Sequence, residues 1–214
     1  MDGIARRVAE ALRAAIATRG QASLAVPGGT TPAPFLERLS EMALDWDRVS
    51  VLPSDERLVP ESSERSNAGL IRRTLLQGKA QAARLLPLAT QAMLERPEHA
   101  LPGLCSAVAA LLPLDLCVLG MGNDGHTASL FPGADRLQTA LSDDAPPVML
   151  LRAPGAPEPR LTLTMPVLRG AGQRFLLIAG AEKKAALMRA QQEGPVELAP
   201  VRAILPFTTV FYAP

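Results

Sequence analysis

Aromatic side chains are scarce: five phenylalanines, one tyrosine and one tryptophan among 214 residues. A base-stacking surface for nucleic acid needs more rings than that, so this class of partner is excluded. An excess of one charge is also missing. The 22 basic residues face 21 acidic ones, a net charge of +1, which leaves no field to hold a polyanion. A small phosphorylated ligand needs only a few local cations and stays compatible. Cysteine occurs twice, as Cys105 and Cys117, without metal-ligand spacing. The pair reads as small buried hydrophobes in a reducing, cytoplasmic compartment, with no metal site. An uninterrupted membrane-spanning run is absent too. Residues 101–122 come closest, but Pro102, Pro113 and Asp115 divide them into a short buried helix and a buried strand. The N-terminus, MDGIARRVAEALRAA, lacks the apolar segment of a signal peptide. The length suits one α/β domain over 1–214.

What is present is a regular succession of strand and helix signals. Ile4, Val8, Leu12 and Ile16 recur at four-residue intervals with arginines opposite, predicting an amphipathic helix ended by Gly20. Apolar runs at 23–26, 49–52, 114–119 and 175–179 read as strands. Helices are expected through Phe35 and Leu39, from Asn67 past Leu76, over 97–112 and over 182–192. Shorter β-like stretches lie at 84–88, 148–151 and 161–164, and a helical turn at 166–170. The tail at 207–212 reads as an edge or added strand. The proline-rich segments 145–159 and 194–206 read as surface loops. Strands alternating with helices predict an α/β fold with a mostly parallel sheet and helices on both faces.

The densest chemistry lies at 116–132, LCVLGMGNDGHTASLFP. A buried strand breaks at Gly120 into a polar, glycine-rich turn that delivers His126 to a sheet end. Ligands of open α/β sheets bind outside the carboxyl ends of strands, and imidazole moves protons near neutral pH. The second histidine, His99, sits in a polar stretch and reads as surface. Gly120, Gly122 and Gly125 match a dinucleotide fingerprint in form only. Pro132 cuts the following helix short, and Asp143 and Asp144 lie in a proline-rich loop, not at a strand end where a ribose would be met.

Other strand exits carry further candidates. Gly28-Gly29-Thr30-Thr31 precedes a helix, where glycines let backbone approach a ligand and free N–H groups favour an anion; the same residues also make an ordinary tight turn. Asp55-Glu56-Arg57 follows the 49–52 strand, and its three charges either line a cleft or form a solvated loop. Arg160 points either into that cleft or into solvent. Lys183 stands in the first turn of a helix, an unfavourable place for a cation unless an anion joins it. Its neighbour Lys184 reads as surface.

Taken together, VPGGTTP (26–32), DWDRVSVLPSDERLVP (45–60), SN (66–67), LGMGNDGHTASLFPG (119–133), RLTLTMPVL (160–168) and GAEK (180–183) resemble the 6-phosphogluconolactonase family in order and spacing. The resemblance implies a three-layer, Rossmann-like α/β/α fold, related to that of glucosamine-6-phosphate deaminase. It implies hydrolysis of 6-phospho-D-glucono-1,5-lactone without an essential metal or organic cofactor, a small sugar-phosphate lactone being the partner. On these motifs His126 takes the place of the general base, and Gly28, Gly29 and Thr30 that of the substrate loop. Arg57, Arg160 and Lys183 take the cationic positions, and Asp55, Asn67, Asn123 and Asp124 those that shape and orient the site. Thr30 departs from the family's usual serine, and residues 78–112 match weakly.

Three rival readings stand beside this one. A glucosamine-6-phosphate isomerase/deaminase shares the GG-T-P loop and the DGH turn, but follows DGH with an Asn-Glu-Pro stretch, where this chain has SLFPG. A non-catalytic sugar-phosphate sensor keeps the cations and discards the base. A NAD-dependent dehydrogenase rests only on the glycine spacing.

Overall fold

The structure, a computed structural model, describes residues 1–213; Pro214 lies outside the described residues. In chain order the elements are α1 (Asp2–Arg19), β1 (Ala22–Val26), α2 (Ala33–Ser40), β2 (Val49–Pro53), β3 (Asp55–Arg57), α3 (Asn67–Thr74), β4 (Arg84–Leu85), α4 (Gln91–Glu95), α5 (Pro97–Ala109), β5 (Leu116–Leu119), α6 (Leu137–Leu141), β6 (Val148–Leu151), β7 (Arg160–Leu163), α7 (Met165–Gly170), β8 (Gln173–Ala179), α8 (Ala181–Ala190) and β9 (Thr209–Ala213). Six strands form one sheet in the order β4-β2-β1-β5-β8-β9. Every neighbouring pair in it is parallel. The expected α/β architecture is therefore present, and the tail forms an edge strand.

Side chains alternate across a strand, and here both faces are covered. Leu24 and Val26 of β1, Leu116 and Val118 of β5, and Phe175 and Leu177 of β8 pack with Ile4, Val8 and Leu12 of α1 and with Phe35, Leu36 and Leu39 of α2. Ala25, Leu52, Cys117, Leu119, Leu176 and Ile178 face the opposite layer, with Val108 of α5, Leu168 of α7 and Leu187 of α8. A fully buried leucine contributes about 1.5–3 kcal/mol by leaving water, which makes this double-sided core the main anchor of the strand ends. Helix α1 follows its four-residue apolar spacing and stops at Gly20, whose φ is 76° and whose N–H reaches the Ile16 carbonyl at 2.8 Å. Helix α3 starts where the Ser66 hydroxyl accepts the Gly69 N–H at 3.0 Å.

The structure corrects several expectations, among them the helix from Asn67 past Leu76, which ends at Thr74, and the strand at 84–88, which spans only Arg84–Leu85. Residues 55–57 are not a loop at a strand exit. They form β3, which joins β7 and β6 in a separate antiparallel sheet ordered β3-β7-β6. Three consecutive charged or acidic residues are poor strand formers by propensity, and pairing with β7 overrides that. Segment 194–206 is not a surface loop. It winds through short 3-10 turns, and Ala199, Val201 and Ile204 are buried. The helix expected over 97–112 ends at Ala109.

The strand order reverses between β1 and β5: the chain leaves β1 toward β2 and β4, then returns to lay β5 on the other side. Connections diverge at such a point and open a crevice at the carboxyl ends of the strands. Among the described residues no helix is long and apolar enough to cross a membrane.

Candidate active site

A cavity of about 460 Å³ occupies this crevice. The turn after β1 supplies Gly28, Gly29 and Thr30, and the turn after β5 supplies His126. Helix α8 brings Lys183, α3 brings Asn67, and the small sheet brings Asp55 and Arg57 from β3 and Arg160 from β7. Asp124 stands behind His126 outside the cavity wall. Asn123 lies outside it too: its side chain donates to Glu182 at 3.3 Å, and its carbonyl accepts from Arg189 at 3.3 Å, which ties the turn to α8. His99 and Lys184 are exposed, as expected.

The histidine turn closes on itself. Gly122 N–H donates to the His126 carbonyl at 2.9 Å, Gly125 N–H to the Gly122 carbonyl at 3.0 Å, and the Thr127 hydroxyl to the Gly120 carbonyl at 2.9 Å. A β-carbon at Gly122 would overlap the His126 ring and the Asp124 carboxylate, so glycine is required for the close approach. The turn leads into no helix until α6, so the glycine spacing lacks the helix N-terminus that a dinucleotide site needs.

Asp124 Oδ1 lies 2.6 Å from His126 Nδ1 and accepts the His126 backbone N–H at 3.2 Å. Burial pushes the Asp124 carboxyl up, but the His126 charge and these two hydrogen bonds outweigh it and hold the pKa below the usual value. In the neutral imidazole an ionised Asp124 favours the tautomer with the proton on Nδ1, which leaves Nε2 as the acceptor. The imidazole packs on Phe131, ring centroids 4.0 Å apart. Behind the turn, Val201 N–H donates to the Gly125 carbonyl at 3.0 Å, and Ala199 lies so close to Gly125 that a β-carbon there would collide with it.

The cationic wall has unmet donors. Arg57 NH1 reaches the Arg65 carbonyl at 2.5 Å and Asn67 Oδ1 at 3.2 Å, yet its buried Nε has no partner among the described residues. Arg160, only 9% exposed, also has a buried Nε without a partner. Burial and then the Arg57 charge lower the Arg160 pKa, against Asp55 and Glu158, which raise it. Its guanidinium lies 5.7 Å from the Phe131 ring centroid. Arg57 and Arg160 both line the cavity, and two guanidinium groups side by side there suit an anionic ligand.

Asp55 is held from behind. Ser129 Oγ donates to it at 2.5 Å and Ser54 Oγ at 3.2 Å, while the Ser129 N–H donates to Thr162 Oγ1 at 3.2 Å. The Asn67 amide donates to the Asp55 carbonyl at 2.7 Å. Gly28 presses on this amide so closely that any β-carbon would overlap it. Among the described residues no acceptor takes the N–H of Gly28 or Gly29. Sequence reasoning missed Phe131 and Ser129, although both lie in the segment it singled out. It also missed that Glu56 turns away from the cavity, a consequence of strand alternation once β3 is known. Among the described residues no group of three or more His, Cys, Asp or Glu side chains gathers as metal ligands do.

Fold and cavity together define a three-layer α/β protein with a carboxylate–imidazole pair and a basic pocket at the topological switch point. The family described as glucosamine-6-phosphate isomerases/6-phosphogluconolactonase matches over residues 1–212. The chain belongs to that family, and it is an enzyme. It is 46% identical over 206 residues to a 6-phosphogluconolactonase of Rhizobium meliloti, covering 95% of this chain and 88% of the relative. It is 44% identical to a 6-phosphogluconolactonase of Pseudomonas aeruginosa, covering 98% and 89%. A crystal structure of a 6-phosphogluconolactonase from Shewanella baltica superposes with a TM-score of 0.94 at 33% identity, covering 99% of this chain and 92% of that one. The corresponding Thermotoga maritima structure gives 0.82 at 27% identity, covering 99% and 94%.

Proposed function

We propose that this protein hydrolyses 6-phospho-D-glucono-1,5-lactone to 6-phosphogluconate. The observation that carries the proposal is the Asp124–His126 pair, 2.6 Å apart, at a cavity that His126 lines together with three cations, Arg57, Arg160 and Lys183. The activity named for its relatives supports the same reading.

A lactone is an activated ester, so water needs only a base and a place for the developing charge. His126 Nε2 takes a proton as water oxygen bonds to C1, and Asp124 stabilises the imidazolium. The C1 oxygen becomes an oxyanion, which the N–H groups of Gly28 and Gly29 on the cavity wall are suited to stabilise. The tetrahedral centre then collapses, the bond from C1 to the ring oxygen breaks, and His126 returns its proton to that oxygen. Arg57, Arg160 and Lys183 hold the phosphate and so fix C1 relative to the base. Asp55, Asn67 and Thr30 meet the sugar hydroxyls. The chemistry calls on no cofactor, and it goes with the cytoplasmic setting inferred from the unpaired Cys105 and Cys117.

The isomerase/deaminase arm of the family fits less well. The stretch after His126 carries no carboxylate before Asp135, and Phe131 occupies the imidazole face. Fresh lactone generated by glucose-6-phosphate dehydrogenase, with its disappearance followed against spontaneous hydrolysis, tests the proposal. Catalysed loss that vanishes in His126→Ala is expected. Wild-type turnover in that variant removes His126 as the base, and ammonia release from glucosamine 6-phosphate reverses the assignment.

A further inference from the structure

Glu56 is fully buried, 0% exposed, and contributes nothing to the cavity wall. Alternation along β3 sends Asp55 and Arg57 to the cavity and Glu56 to the start of α3. There its carboxylate meets four donors. Oε1 accepts the N–H of Arg57 at 2.8 Å and that of Asn67 at 2.8 Å. Oε2 accepts the N–H of Ala68 at 2.7 Å and the Ser66 hydroxyl at 3.0 Å. Burial pushes the Glu56 carboxyl above its ordinary value, and these four bonds oppose that only in part. A buried carboxylate persists when its oxygens are satisfied, and the first N–H groups of a helix suit a negative charge.

Two of the four donors are the backbones of Arg57 and Asn67, the residues whose side chains meet at 3.2 Å in the cavity wall. Residues 58–66 separate them in sequence, so they are held together by bonds across that gap, among them Asn67 to the Asp55 carbonyl at 2.7 Å. Glu56 spans that gap from below while the Arg57–Asn67 contact spans it from above.

We infer that Glu56 is a positioning residue that locks the Arg57 backbone to the start of α3, so that the guanidinium meets the substrate phosphate already aligned. The inference rests on the proposed reading of the cavity, in which Arg57 binds phosphate. It predicts a loss in substrate binding more than in the chemical step, because neither His126 nor Asp124 bonds to Glu56, Arg57 or the first residues of α3.

Glu56→Gln keeps the volume but replaces one acceptor oxygen with an NH₂ group that faces donors. The expected result is a KM raised roughly tenfold, the scale of one net hydrogen bond, with kcat within about twofold of wild type. Combined with Arg57→Ala, the substitution is expected to add nothing to the KM of the single Arg57 variant, since it acts through that residue. Unchanged KM in Glu56→Gln, or kcat and KM effects that simply add to those of Arg57→Ala, overturns the inference while leaving the phosphate reading intact. An unchanged KM in Arg57→Ala itself overturns the phosphate reading and this inference with it. If Glu56→Gln does not fold, Ser66→Ala decides. It removes one donor to Glu56, and a KM raised about two- to threefold at constant kcat supports the inference, whereas an unchanged KM overturns it.

Discussion

Asp124 holds His126 twice through a single oxygen: Oδ1 lies 2.6 Å from the ring Nδ1 and 3.2 Å from the backbone N–H of the same histidine. Ring and main chain are thus fixed together, which a carboxylate two residues upstream achieves only because Gly122 leaves room for both side chains. The carboxylate that orients the ring comes from the same turn as the ring itself, while Val201 braces that turn from a remote stretch of chain.

Asp124→Asn should therefore damage chemistry more than binding. The amide can present an NH₂ group to Nδ1 and favour the wrong tautomer. A fall in kcat of at least about tenfold is expected with KM little changed, and His126→Ala should lose roughly 10²–10⁴. Steady-state kinetics on freshly generated lactone decides: equal kcat in Asp124→Asn and wild type would show that the pair has no chemical role.

The same pair sets an acid limb of stability. The Asp124 pKa in the folded protein lies below its ordinary value of 3.8, so its contribution is present above that value and is lost as pH falls through the lowered one. The Tm of wild type should exceed that of Asp124→Asn at pH 5, and the gap should close as pH falls below 3.8 through the lowered titration. Asp124 is half-exposed, so the gap will be small. A gap that widens on acidification contradicts the sign.

Arg160→Met removes a buried guanidinium while keeping an unbranched side chain. A charge-assisted bond lost to an anion costs about 1.5–3 kcal/mol, so affinity for 6-phosphogluconate should drop roughly ten- to hundredfold in titration calorimetry. An unchanged Kd would take Arg160 out of the phosphate site.

Gly28→Ala places a methyl group on the Asn67 amide. Overpacking of this kind costs about 1–3 kcal/mol, and here the displaced group also carries Arg57. A lowered Tm together with a raised KM is expected. A variant with both values at wild type would mean that the turn and Asn67 part freely.

The histidine segment was legible because its signals are local. A strand that stops at glycine, a tight turn and an imidazole occupy adjacent positions, and the helical periodicity of Ile4 to Ile16 is equally self-contained. The parallel sheet followed from the alternation of such units. What escaped depends on distant partners. The strand Asp55–Arg57 exists only through pairing with Arg160, Leu161 and Thr162, and charged side chains disguise it. The side on which Arg160 points is likewise set by that pairing. Segment 194–206 looks like a loop because prolines break its periodicity, yet Val201 and Ile204 anchor it. Asn123 sits in the expected turn but faces α8, a direction that spacing alone does not encode.

The Val201 N–H that meets the Gly125 carbonyl ties the histidine turn to a stretch remote from it in sequence. Closing so long a loop carries an entropic cost that the fold offsets by burying Ala199, Val201 and Ile204. Loosening that remote stretch is thus a way to blunt the site without altering any residue that lines it.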